Sequence, residues 1–177
     1  MSIFKTKIIL KLTKTKPEFL YTIFTKEYKI LCNKKISKKE KALDLGYLVN
    51  FEITTKENIS IHKIRNIKIL SEYNRENKSF KELNNYLVIL SIIHKKIPTA
   101  PIYELFELLE TINSNLEMNA TKLVLTRLKI ISIFELNENN SNSTVAKILK
   151  FINSNKIDRI LKLSGISEEI ENKLEQL

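Results

Sequence analysis

The chain has 177 residues, 43% of them hydrophobic, with two glycines, three prolines and a net charge of +10 at neutral pH. That balance fits a folded protein of one domain or two small ones. No run of about 18 apolar residues is free of charge, which excludes a membrane-spanning helix, and the lone cysteine, Cys32, excludes an internal disulfide. The opening MSIFKTKIILKLTK carries spaced lysines and no small-residue cleavage site, so it reads as a strand rather than a signal peptide. A cytoplasmic protein is expected.

Charge divides the chain. Residues 1–71 hold 16 Lys and Arg against 6 Asp and Glu, whereas residues 72–177 hold 14 of each. Both parts are rich in Ile, Lys and Asn, so the neutral part controls for composition bias. A basic module joined to a neutral one points to a surface that faces polyanions.

Residues 4–13 alternate, with Phe4, Thr6, Ile8, Leu10 and Leu12 on one face and a lysine row on the other. Period two predicts a half-buried strand, ended near Pro17. Residues 18–25 (EFLYTIFT) and 28–33 predict two more strands. The basic run 34–41 has no period and predicts a loop. From Leu43 to Thr54 the alternation is cleanest, and Gly46 within it suggests a bulge or bend. A fifth strand is predicted over 59–70, with Lys63 and Arg65 at otherwise inward positions, which again implies a bulge. Five strands in about 70 residues outline an OB-type barrel; an open five-stranded sandwich would give nearly the same pattern.

After Tyr73 the period becomes helical. Ser79 and Glu82 have capping-box spacing ahead of Phe80, Leu83, Leu87, Leu90 and Ile97. Beyond Pro98 and Pro101, a second helix carries Ile102, Leu105, Phe106, Leu109 and Ile112. Asn119 can cap a third, apolar on most sides and therefore central. NENNSNS (137–143) predicts a loop, and helices follow at about 144–153, 156–163 and 168–176, with Gly165 as a C-terminal glycine. The expected class is α+β: a five-stranded OB-type barrel over 1–71, then an all-helical domain over 72–177.

Little in the chain suggests catalysis. Two histidines, His62 and His94, and one cysteine cannot make a four-ligand zinc site. Gly-rich phosphate loops and hydrolase or metalloprotease motifs are absent from the sequence. No cofactor and no enzymatic activity are expected. The candidate nucleic-acid contacts are Lys5, Lys7, Lys11, Lys29, Lys34, Lys35, Lys38, Lys39, Lys41, Lys63, Arg65 and Lys68. Tyr21, Tyr28 and Tyr47 lie nearby but share a phase with aliphatic residues, as core residues do. Fifteen of the 16 cations in this part are lysines, which favours phosphate tracking over bidentate base reading. The alternatives are an RNA-binding protein of translation and a helical scaffold with merely solubilising lysines.

The order KIILKL, EFLYTIFTKEYKIL, a lysine-rich loop, LDLGYLVNFEI and HKIRNIKIL resembles the amino-terminal OB domain of RecO, the bacterial recombination mediator. Thr25, Lys29 and Ile30 match that family's first strand-pair turn. Leu43, Leu45, Leu48, Phe51 and Glu52 approximate its next strand. STVAKILKFINSNKIDRILKLSGISEEIENKLEQL resembles its helical end. Two features depart: Tyr28 replaces the turn glycine, and NENNSNS stands where a cysteine-rich zinc insertion is common. The resemblance implies a short, zinc-free, non-enzymatic mediator of DNA repair that binds single-stranded and double-stranded DNA and anneals strands. It also implies two protein partners, RecR and the acidic C-terminal tail of single-strand-binding protein. Arg127, Lys129, Lys147, Lys150, Arg159 and Lys162 are the cations available for that tail.

Overall fold

The computed structural model describes residues 2–15, 18–24, 29–34, 43–54, 61–115, 117–134 and 143–177 save 97–102, with the first three strands described by backbone alone. Five strands come first: β1 (Ser2–Thr15), β2 (Glu18–Phe24), β3 (Lys29–Lys34), β4 (Leu48–Thr54) and β5 (Ile61–Ser71). Hydrogen-bonded neighbours run β1-β2-β3-β5-β4, and β4 returns to β1. All pairings are antiparallel except β3 with β5. Six helices follow: α1 (Phe80–Lys96), α2 (Tyr103–Ser114), α3 (Ala120–Phe134), α4 (Thr144–Ser154), α5 (Ile157–Ile160) and α6 (Glu168–Glu175).

The chain forms two compact units, Met1–Asn74 with Ile93–Leu116, and Arg75–Ile92 with Glu117–Leu177. This corrects the expected class of an OB-type barrel followed by an all-helical domain. The strands are not a domain of their own, since residues 93–116 cluster with them. Nor are the helices a domain of their own, because α2 belongs to the strand-bearing unit. Its apolar face, Leu105, Phe106, Leu108, Leu109 and Ile112, is buried, and the buried Asn113 amide donates to the Gly46 carbonyl at 2.7 Å. A helix with so wide an apolar stripe must bury it somewhere, and a buried amide must find an acceptor.

Gly46 is not a bend inside a strand. It lies in a turn before β4, at φ 77°. That region suits a residue without Cβ. Asp44 shapes the turn by accepting the Leu45 amide at 2.7 Å. Within β4 the inward phase is Val49, Phe51 and Ile53, all buried.

In the second unit, α1 opens on the capping box. The Ser79 hydroxyl accepts the Glu82 amide at 3.2 Å, and the Glu82 carboxylate accepts the Ser79 amide at 2.8 Å. Burial acts to raise the Glu82 carboxyl, but the Ser79 bonds and the Lys78 ammonium outweigh it and hold it below the usual range. The buried stripe of α1 is Tyr86, Ile89, Leu90 and Ile93, whereas Phe80 is 85% exposed. Ile97 and Ile102 lie outside the described residues. Asn119 caps α3 by accepting the Lys122 amide at 2.9 Å. Every residue from Leu123 to Ile130 in α3 is buried, as the central helix should be. Around Val124, Leu125 and Leu128 pack Ile152 of α4, Ile160 of α5 and Leu174 of α6. Ser143 and Ser167 cap α4 and α6 through their hydroxyls. The rest of the NENNSNS stretch lies outside the described residues.

Polar contacts then fasten α6. Lys81 of α1 pairs with Glu171 at 2.7 Å and Glu175 at 3.1 Å, Asn85 donates to Glu175 at 2.9 Å, and Thr121 of α3 donates to Glu171. The Arg127 guanidinium donates to the carbonyls of Leu174 and Glu175, at 3.3 and 2.7 Å. Carbonyls at a helix end lack intrahelical partners, and a cation is favourable there.

Candidate nucleic-acid interface

On β5 the buried or half-buried residues are His62 and Ile64, then Ile67, Ile69 and Ser71. The phase therefore changes from even to odd between Ile64 and Ile67, and Arg65 and Asn66 are exposed in succession. The register against β4 shows the cause. Asn50 pairs with Lys68 and Glu52 with Arg65, so β5 holds one more residue than β4 in that interval. This is a β-bulge, and Asn66 sits in it at φ 49°. Asn tolerates the left-handed region better than most side chains.

The bulge sets the chemistry of the outer face. Without it, a strand with Lys63 and Arg65 outward would turn Lys68 inward. With it, Lys63, Arg65 and Lys68 are all exposed on one face, flanked by Ile61 and Leu70. Lys63 and Arg65 do not occupy inward positions, which corrects the phase expected from the sequence. Alternate residues of a strand lie about 6.7 Å apart, so the cations form an elongated row. Opposite them on β4 stand Thr54, Glu52 and Asn50. Glu52 accepts a 2.7 Å hydrogen bond from the Asn66 amide. The carboxylate is thus held at the bulge. Among the described residues no ion pair engages Lys63, Arg65 or Lys68.

The other expected contacts are placed by backbone or not at all. Lys7 is opposite Val49 of β4 and Lys11 opposite Thr22 of β2. Lys29 and Lys34 pair with Phe24 and Phe19. Lys63 pairs with Asn33 across the parallel β3–β5 ladder, which puts the Lys34 backbone one position away. Lys5 lies in β1, within an irregular stretch between Phe4 and Lys7. Lys35, Lys38, Lys39, Lys41 and Tyr28 lie outside the described residues. Tyr21 is placed by backbone alone, opposite Cys32, and Tyr47 is half-buried in the turn before β4.

Asn66 and its partner Glu52, which shape the row of cations, are the pair that sequence reasoning missed. The available signal was an asparagine in mid-strand, where that residue is depleted. Among the helical cations, Arg127 and Lys129 are buried, while Lys147, Lys150, Arg159 and Lys162 are exposed. Arg127 is therefore a structural residue; burial pushes its guanidinium down, and Glu175 opposes that shift.

Among the described residues, no cluster of His, Cys, Asp or Glu is placed to hold a metal ion. No described helix is long and apolar enough to cross a membrane. The outer face of β4–β5 offers ammonium, guanidinium and amide groups, which bind oxyanions without chemical change. No protein-family model matches the chain, and no curated protein matches it either.

Proposed function

We propose that this protein binds single-stranded DNA non-enzymatically, by phosphate contacts along the outer face of β4–β5. The observation that carries the reading is the exposed row of Lys63, Arg65 and Lys68, aligned by the Asn66 bulge and unpaired with any described acid. Such a row supplies sequence-tolerant attraction, since phosphate contacts position a strand without reading its bases. The alternative, in which these cations only solubilise the protein, gives no reason for a bulge that keeps all three in one line. Annealing of complementary strands is an extension of the same chemistry, because a cationic face screens the repulsion between two polyanions. The role in recombination and repair, with RecR and single-strand-binding protein as partners, rests on the sequence resemblance to RecO.

The test is fluorescence anisotropy with single-stranded DNA, double-stranded DNA and RNA of equal length, titrated with salt. Neutralising Lys63, Arg65 and Lys68 to Gln removes three contacts. The slope of log K against log salt should then become less negative by about 2 for a single strand. An unchanged slope removes this face from the account. Tighter binding of RNA than of DNA replaces the recombination role with one in translation.

A further inference from the structure

The second unit belongs to the neutral part of the sequence, yet its charge is not evenly spread. Residues 143–164 hold five cations, Lys147, Lys150, Lys156, Arg159 and Lys162, against one acid, Asp158. All five are exposed. None forms an ion pair with a described residue. Local geometry groups them into two rows. Lys147 and Lys150 are three apart on α4, whose other side, with Val145, Ile148, Leu149 and Ile152, is taken up by the core. Lys156, Arg159 and Lys162 are also spaced by three. The tight turns continue past α5, with the Lys162 amide donating to the Arg159 carbonyl at 3.2 Å and Leu163 to Ile160 at 3.1 Å. Three residues per turn superposes side chains at that spacing on one side. Lys156 stands at the N-cap of α5, where its ammonium, a donor only, cannot cap the helix.

From this we infer that α4 and α5 carry a second phosphodiester-binding surface, which lets one chain hold two nucleic-acid strands. The inference rests on the proposed role of the β4–β5 face as the first surface. It favours a nucleic acid over an acidic peptide because most large apolar side chains of 143–164 pack on the core and none is prominently exposed. An acidic peptide anchored by apolar residues needs a pocket beside the cations, whereas a phosphodiester chain needs only the cations and exposed donors such as Asn153 and Ser164. The N-terminus of α6 adds nothing to such a site, since Glu168, Glu169 and Glu171 fill its first turn.

The experiment compares the full-length parent, a variant with the five cations replaced by Gln, and the variant with Lys63, Arg65 and Lys68 replaced by Gln. Circular dichroism verifies folding. Donor- and acceptor-labelled oligothymidine strands, which cannot pair with each other, report bridging by energy transfer, and sedimentation counts the strands per chain. The parent should bridge two strands. The five-cation variant should keep the first binding step and lose the second, with the bridged fraction falling at least about tenfold as its five contacts go. Unchanged bridging in that variant, or a parent that holds only one strand, overturns the inference and leaves the first reading standing. Unchanged first-step affinity in the Lys63/Arg65/Lys68 variant overturns the first reading instead. If the five cations govern affinity for a labelled acidic peptide while the strand count stays constant, the surface belongs to proteins and the inference falls.

Discussion

Replacing Arg127 with Met separates an architectural cation from a ligand-binding one. Arg127 as a whole residue is 9% exposed, and its guanidinium donates to two backbone carbonyls at the end of α6. Hydrogen bonds from charged donors contribute about 1.5–3 kcal/mol each. Here one nitrogen serves both acceptors, the Leu174 contact is long, and the buried Nε has no hydrogen-bond partner. Met also recovers part of the guanidinium's desolvation cost while keeping much of the apolar stem. The net loss should therefore lie near the value of one such bond, about 1.5–3 kcal/mol. Urea denaturation followed by circular dichroism measures it, and Arg127→Lys should fall between, since it keeps the charge without the fork. DNA affinity at low temperature should not move. A variant as stable as the parent but weakened in binding would refute the reasoning and return Arg127 to the ligand-contacting set.

Three other outcomes follow from the same contacts. Burial acts to raise the Glu175 carboxyl, but the Asn85 and Lys81 hydrogen bonds outweigh it and hold it low. A depressed carboxyl stabilises the fold above its unfolded pKa and is lost as pH falls through the folded one. Glu175→Gln should thus be less stable than the parent at neutral pH, and the gap should shrink on acidification in thermal melts. A constant gap would contradict the assignment. Removing the cap hydroxyl with Ser79→Ala should cost about 1 kcal/mol in urea denaturation, with a loss below a few tenths contradicting the capping role. At the bulge, Asn66→Gly should be more stable than Asn66→Ala, because Ala meets a penalty of roughly 1–2 kcal/mol in the left-handed region. Equal midpoints for the two would mean that β5 relaxes into a regular strand.

How far the sequence could be read depended on whether a feature is local. The Ser79–Glu82 box and the Asn119 cap involve residues three apart, and both were legible because no distant contact decides them. The inward phase of β4 was legible for the same reason. The stripe of α1 was not: Phe80, Leu83, Leu87 and Leu90 fit the helical period as well as Tyr86, Ile89, Leu90 and Ile93 do. Only packing selects the second set. The phase of β5 was misassigned because one inserted residue reverses every side chain beyond it, and periodicity cannot say which residue is the insertion. The membership of α2 in the strand-bearing unit involves contacts such as that of Asn113 with a carbonyl 67 positions away, which no spacing rule anticipates.

The bonds from Lys81 and Asn85 to Glu171 and Glu175 each close a loop of 90 residues. During synthesis, α1 is made long before its partner acids are. The second unit cannot reach its final arrangement until α6 has cleared the ribosome, so its early helices must wait with their inner surfaces uncovered. A nascent chain halted just short of Glu168 should be protease-sensitive in α1 and α3, and a few further turns of translation should convert it abruptly to the resistant form.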